Sequence, residues 1–368
     1  MEIKTLHLQS FKNYENSILP FHSRVTCLVG LNGAGKTNVL EAIHYLAFTK
    51  GTASVTDLES IRSKDPYFRV KGLFEENRKE REVICFLERG QKKIIKMDGL
   101  AYEKLSDHIG QVQVVMCTPY DSQIIQDSSE VRRKWADGCI SQHDAPYLEA
   151  LLKYQRVLKQ RNAHLKNCNG RLSPPAALLL DTYDQELIRL SSELSNKRVE
   201  FVQSFQPYFQ ENLAALVPGH ERCSIHLKSQ VTEAGFAEKF SESRAKDLLM
   251  QRTLLGAHRD DFMFALQGQP IRKFGSQGQQ KSFLVALRLA QYDYLKQTTS
   301  IAPVLLLDDV FDKLDDGRIH NLVSILQDNS RFGQVILTDA RKERTLSFFD
   351  KEHIQLVEIE NGTIRVHE

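Results

Sequence analysis

The chain has 368 residues, with 49 Lys plus Arg against 47 Asp plus Glu and a formal net charge of +2. At 41% hydrophobic and 26% charged residues it has the make-up of a folded globular protein, which excludes a disordered, collagen-like or disulfide-stapled chain, and its apolar runs fall far short of the ~20 residues that cross a bilayer. So small a net charge neither favours nor excludes a polyanionic partner, and the length predicts two or three domains, or one large head with an insertion.

The N-terminus, MEIKTLHLQSFKNY, alternates in polarity and lacks the apolar core of a secretory signal. Residues 1–115 read mainly as strands. Ile3 to Leu8, Tyr67 to Leu73 and Val83 to Leu87 are short apolar or alternating runs, and Asp98-Gly99 supplies a hairpin turn. Within this region RVTCLVG (24–30) has the pattern of a buried strand, and TNVLEAIHYLAF (37–48) has helical spacing. Between them GLNGAGKT, Gly30 to Thr37, fits G-x-x-x-x-G-K-[ST] in the strand-to-helix context that the motif requires. Gly30, Gly33 and Gly35 permit the tight turn; with Leu31, Asn32 and Ala34 between them, successive N–H groups can converge on phosphate oxygens. The following helix adds its positive end. Lys36 would place a charge on the β- and γ-phosphates of ATP, and the Thr37 hydroxyl would coordinate Mg2+.

From about 120 to 250 the period becomes helical. Leu148, Leu151, Leu158 and Leu165 share one stripe, and Tyr183, Leu187, Leu190 and Leu194 follow a 4-3-4 spacing. The breaker NCNGRLSPP (167–175) lets the two segments fold back as a hairpin, with arms of roughly 40 Å. After 252 strands return: DDFMFAL with a QGQ turn, PVLLLDD (303–309), QVILTD (334–339) and a closing hairpin at Asn361-Gly362. These elements predict an α/β head, residues 1–118 and 252–368, interrupted by a helical lobe, residues 119–251.

PVLLLDD ends an apolar strand in two carboxylates, the position of a metal ligand in an open α/β sheet. Asp308 is the expected Mg2+ ligand, and Asp309 the residue that orients or deprotonates an attacking water. FGSQGQQKSFLVALRLAQ (274–291) is a helix whose start, Ser276 to Gln280, is small and polar. By itself it is an N-cap with anion-binding potential.

The order of phosphate loop, Ser-x-Gly-Gln segment, acid-tipped strand and Lys313-Leu314-Asp315 resembles the ABC-type ATPases, in particular the branch holding the SMC proteins and the RecF family. RecF-like features extend from residue 1 to about 345. They are the FKNY turn in LHLQSFKNYENSILPF (6–21), TPYDSQIIQDSSEVRRKWAD (118–137), GAHRDDFMFALQG (256–268), SQGQQKS and LLLDDVFDKLD. The resemblance implies an ABC/SMC-like P-loop head of mixed sheet and helices. It gives Ser276 and Gly278 a role on the γ-phosphate held by a second protomer, and puts Asp315 near the dimer axis. It further implies a slow, DNA-stimulated ATPase that dimerises on DNA with ATP, acts with RecO and RecR at replication gaps or single-/double-strand junctions, supports replication and SOS induction, and resides in the cytoplasm. SMC-type heads carry Glu where Asp309 stands, so slow hydrolysis is expected. Thr338-Asp339 stands where transporters carry a His. The Gln that opens the helical lobe has only Asp121 and Gln123 as candidates.

Residues 151–171 hold Lys153, Arg156, Lys159, Arg161, Lys166 and Arg171 with no acid. That run fits either a solvated helix face or a surface that tracks a DNA backbone. His258, Arg259, Asp260 and Asp261 fit an ion-pair network better than a metal site, there being no second His or Cys at ligand spacing. The six cysteines show no CxxC spacing, as expected of reduced thiols. The competing classes are a transporter-coupling ATPase, which the N-terminal strand and the missing His oppose, and a structural SMC-like clamp, which needs far longer helices.

Overall fold

Parallel strands are covered on both faces and read as unbroken apolar runs. Three such runs, Val25–Val29, Val304–Leu307 and Val335–Asp339, are buried along their whole length. The computed structural model describes residues 1–52, 56–219, 222–312, 314–349 and 351–366. In it these strands form the centre of a six-stranded sheet, in the order Thr363–Val366, Ile354–Glu360, Val25–Val29, Val335–Asp339, Val304–Leu307, Val114–Cys117. Only the outermost hairpin pair is antiparallel. Its turn places Asn361 and Gly362 at positive φ, the geometry an Asn-Gly hairpin supplies.

A second sheet is wholly antiparallel, in the order Tyr14–Pro20, Glu2–Phe11, Tyr67–Glu76, Lys79–Glu88, Ile94–Met97, Leu100–Ala101. Its alternating strands bury one face, and Asp98-Gly99 makes the expected turn. The helix Lys36–Phe48 shares a core with both sheets through Val39, Leu40, Ile43 and Leu46. The phosphate loop therefore sits at the seam of an apolar core that both sheets share.

The chain divides into two units. The first is Met1–Ser122, Tyr208–Glu221 and Ser276–Glu368; the second is Gln123–Pro207 and Arg222–Gly275. Residues 208–221 thus cluster with the head and 252–275 with the lobe, the reverse of the boundaries drawn from sequence. The reason lies in two elements. The helix Pro174–Leu216 runs unbroken for 43 residues through Pro207, whereas the strand Asp261–Leu266 pairs with Cys223–Lys228. Within the second unit, Ala145–Asn167 and the first part of Pro174–Leu216 form the expected hairpin. Asp144 caps the first helix on the Tyr147 N–H at 2.9 Å, and Asn169 and Gly170 at positive φ make the break. Trp135 sits edge-on to Phe201, Phe205, Phe262 and Phe264. All six cysteines are free, and no helix among the described residues is long and apolar enough to cross a membrane.

Candidate nucleotide site and charged arm

The loop Gly30–Thr37 is shaped by two glycines that admit nothing larger. A Cβ on Gly30 would stand 2.2 Å from the Ile359 carbonyl oxygen, and one on Gly35, at φ +119°, would stand 2.5 Å from Asn13 Nδ2. The FKNY turn holds the loop from outside. Asn13 Nδ2 donates to the Ala34 carbonyl at 2.9 Å and the Tyr14 hydroxyl to the Gly35 carbonyl at 3.0 Å. Gly362 N–H donates to the Ala34 carbonyl at 3.1 Å, and Asn38 Nδ2 to Asn13 Oδ1 at 2.8 Å. The phenol of Tyr14 is pushed far up by burial, so it is a permanent donor. Leu31, Asn32 and Gly33 form the exposed crest, Leu31 being 81% exposed.

Lys36 is 4% exposed. Its Nζ donates to the carbonyls of Gly30 at 2.7 Å and Leu31 at 3.0 Å, so the ammonium is folded back over the loop. Burial draws its pKa down, against the opposing pull of Asp309, Asp308 and Asp339.

Opposite it, the strand Val304–Leu307 delivers Asp308, 3% exposed. Its carboxylate accepts from Thr37 Oγ1 at 2.9 Å and from Thr338 Oγ1 at 2.9 Å. The Thr338 hydroxyl in turn accepts the Asp309 N–H at 2.9 Å, so one buried side chain fixes both acids. Asp309 is held at φ +44°, in the left-handed region that non-glycine residues adopt uncommonly, and the Thr338 hydrogen bond to its N–H helps to hold it there. Burial raises the pKa of Asp308 despite its two hydroxyl donors. Burial also raises that of Asp309; Asp339 and Asp312 add to the rise, and Lys36 and Arg344 oppose it. A buried acid and a half-buried one beside a hydroxyl make a set of hard oxygen donors, which fits Mg2+.

Asp339, fully buried, stands where a His was absent from sequence. It accepts from Arg344 Nη2 at 2.6 Å, Arg344 Nε at 2.9 Å and the Arg341 N–H at 2.9 Å. It is therefore committed to Arg344. Asp121 is likewise engaged, by Arg288 at 2.7 and 2.9 Å, while Gln123 is exposed. Beside Asp309 opens a cleft of about 270 Å³ lined by Cys117, Thr118, Gln280, Lys281 and Asp312. A polar cleft of about 610 Å³, lined by Asn13, Asn16, Ser17, Arg62, Asn361 and Gly362, adjoins the other side of the loop.

Ser276 caps the helix Gln277–Thr299. Its Oγ accepts the Gln279 N–H at 3.2 Å, and Gln279 Oε1 accepts the Ser276 N–H at 2.8 Å, a reciprocal capping box. Among the described residues no hydrogen bond links Ser276 or Gly278 to the Lys36, Thr37, Asp308 and Asp309 group. Asp315 caps the helix Asp316–Gln327 on the Arg318 N–H at 2.9 Å; Lys313 lies outside the described residues.

In the second unit Lys153, Arg156 and Lys159 are exposed along Ala145–Asn167. Lys153 pairs with Glu186, whose carboxyl is pushed down to about 2 by Arg189 first and then Lys153. Arg156 and Lys159 form no ion pair among the described residues. Arg161, expected on the same DNA-facing surface, is a correction: it is fully buried. It donates to Asp184 at 2.6 Å, Asp247 at 2.7 Å and the Thr253 hydroxyl at 2.8 Å, because the helix turns that position into the lobe's core. His258 bonds Tyr154 and the Thr253 carbonyl, Asp260 bonds Arg198 and Ser195, and Asp261 bonds Arg132. That cluster is an ion-pair and hydrogen-bond network. No metal-binding group of three occurs among the described residues.

Sequence reasoning gave no role to Asn13, Tyr14, Thr338 or Arg344. The first two carried a signal in the FKNY turn and Thr338 one in its place after the strand, where transporters carry a His; Arg344 carried none.

Residues 2–365 match the family model described as RecF/RecN/SMC N terminal domain. The DNA replication and repair protein RecF of Cytophaga hutchinsonii is 42% identical over 350 residues, covering 95% of this chain and 92% of that one. The RecF of Flavobacterium johnsoniae is 38% identical over 355 residues, covering 96% and 98%. A solved structure of the recombination mediator protein RecF with ATP, of the RecFOR pathway, superposes with a TM-score of 0.89 at 27% identity, covering 100% and 97%. An Smc head domain from Pyrococcus furiosus, at 17% identity and a TM-score of 0.57, covers 99% and 95% and is alike in fold alone. The mixed-sheet head with a helical insertion is the fold of these neighbours.

Proposed function

The chain belongs to the RecF family, and on that premise we propose that it is an ATP-binding, weakly hydrolysing DNA-repair ATPase whose two copies close on DNA when ATP is bound. The observation that carries this reading is the convergence of Lys36, Thr37, Asp308 and Asp309 at the ends of two parallel strands.

In this reading the loop N–H groups from Leu31 to Thr37 bind the phosphates, and Lys36 leaves the Gly30 and Leu31 carbonyls for the β- and γ-phosphates. The nucleoside end extends toward the polar cleft beside Asn13 and Gly362. Thr37 and Asp308 would hold Mg2+, which supplies charge neutralisation on the β- and γ-oxygens. Asp309, its backbone pinned to Thr338, orients a water toward the γ-phosphorus. The P–O bond to the β-phosphate breaks, ADP leaves, and the water proton passes to Asp309 or to the released phosphate. Asp309 reaches the water with a short side chain, which keeps hydrolysis slow and the closed dimer long-lived. Ser276 and Gly278 contact the γ-phosphate held by the second copy. Lys153, Arg156 and Lys159 follow the DNA backbone without reading sequence. The protein then acts at replication gaps or single-/double-strand junctions with RecO and RecR, and supports replication and SOS induction from the cytoplasm.

Light scattering with and without ATP and a gapped duplex tests this reading. The mass should double with ATP, more readily on DNA, and Lys36→Ala should abolish both nucleotide binding and doubling. Normal ATP affinity in Lys36→Ala refutes it.

A further inference from the structure

Gly278 lies in the first turn of Gln277–Thr299, in a backbone conformation open to any residue, so no positive φ accounts for a glycine there. What accounts for it is Arg318. A Cβ on Gly278 would stand 2.5 Å from Arg318 Nη1 and 3.5 Å from its Cζ, so the guanidinium occupies the space that every other side chain would fill. Among the described residues Arg318 is aimed there by Asp315. One Asp315 oxygen accepts the Arg318 N–H at 2.9 Å and the other faces Arg318 Nε at 3.2 Å. The contact thus joins the Ser-x-Gly-Gln segment to the acid that follows the Asp308 strand.

Arg318 is paired with Asp315, and Asp316 shares the first turn of its helix. No acidic residue lies in the first turn of Gln277–Thr299, and a cation at a helix N-terminus is disfavoured by the helix dipole unless an anion completes the arrangement. Asp315 engages Nε and leaves the Nη1 and Nη2 side of the fork beside Gly278, the geometry that pairs with phosphate oxygens. Ser276, Gly278 and Arg318 make no hydrogen bond to the phosphate loop of the same copy among the described residues.

We propose that Arg318 is a ligand of the terminal phosphate of ATP held by a second copy of this chain, and that Gly278 is small in order to seat its guanidinium. This rests on the ATP-dependent pairing proposed above. Asp315 is its positioning residue.

The experiment is a double-mutant cycle on dimerisation, read by analytical ultracentrifugation with a non-hydrolysable ATP analogue. Arg318→Ala and Gly278→Ala should each weaken the dimer by at least about tenfold, the loss expected of one charge-assisted contact. The double variant should be no weaker than the worse single one, because both changes remove the same interaction. Arg318→Lys keeps the charge without the fork and should fall between. Dimerisation of Arg318→Ala at the wild-type level, or multiplying effects of the two substitutions, overturns the proposal. A wild-type chain that stays monomeric with the analogue overturns the function and Arg318's role together, whereas a wild-type dimer indifferent to Arg318 overturns only the latter.

Discussion

Thr338 is the side chain through which Asp308 and Asp309 are both held, and replacing it by Val tests that arrangement. Val has nearly the same shape, so the fully buried site keeps its volume while losing the hydroxyl. Two hydrogen bonds go with it: the one donated to Asp308 at 2.9 Å and the one accepted from the Asp309 N–H at 2.9 Å. A bond to a charged group contributes about 1.5–3 kcal/mol, and an orphaned buried N–H costs about 1–3 kcal/mol. Apolar contacts of the new methyl recover part of this, so we expect a net loss of about 3 kcal/mol. At roughly 2–4 °C per kcal/mol for a unit of this size, the head should melt about 6–12 °C lower. Released from Thr338, Asp309 should also relax from φ +44° and hydrolysis should drop by at least about tenfold. Thr338→Ser keeps the hydroxyl and should stay within about 1 kcal/mol of wild type. Differential scanning calorimetry and single-turnover hydrolysis are the assays. A Val variant that melts and hydrolyses like the Ser variant would refute the assignment of Thr338 as the clamp.

Burial raises the pKa of Asp308, so its contribution to folding is complete below the ordinary carboxylate range and is lost as pH rises through its elevated value. Asp308→Asn should therefore make the nucleotide-free chain more stable at about pH 7.5, with the advantage vanishing near about pH 4. It should also remove the thermal stabilisation given by Mg-ATP; stabilisation equal to wild type would count against Asp308 as the metal ligand. Asp309→Glu extends the carboxylate toward the adjoining cleft and should speed single-turnover hydrolysis about tenfold, about 1.4 kcal/mol of barrier. A rate that falls would contradict the short-side-chain account. Neutralising Lys153, Arg156 and Lys159 together should flatten the salt slope of DNA binding by up to about 2.7, at about 0.9 per phosphate contact. The pairing of Lys153 with Glu186 brings the expectation closer to about 2. Arg161→Ala should instead cost about 3–5 kcal/mol of lobe stability, because it strands Asp184 and Asp247, and calorimetry separates the two effects.

What the sequence determined was whatever depends on local order. The strand, loop and helix around Gly30 to Thr37 follow from an apolar run, three glycines and helical spacing, and all three elements stand where the pattern puts them. The acid-tipped strand at Asp308 and the hairpin turns at Asp98-Gly99 and Asn361-Gly362 were legible for the same reason. Tertiary structure decided what depends on which face a residue turns inward. Arg161 sits two to eight residues from Lys159, Arg156 and Lys153 and shares their chemistry, yet packing against Asp184 and Asp247 makes it core while they stay exposed. Thr338 became the link between two acids because the Val335–Asp339 strand lies parallel to Val304–Leu307, a pairing across about thirty residues that no local period encodes. Gly278 and Arg318 meet for the same reason, across 40 positions of chain. The near-neutral charge, uninformative at first, now has an address: any attraction for DNA must come from a few exposed lysines and arginines, and the fold chooses which.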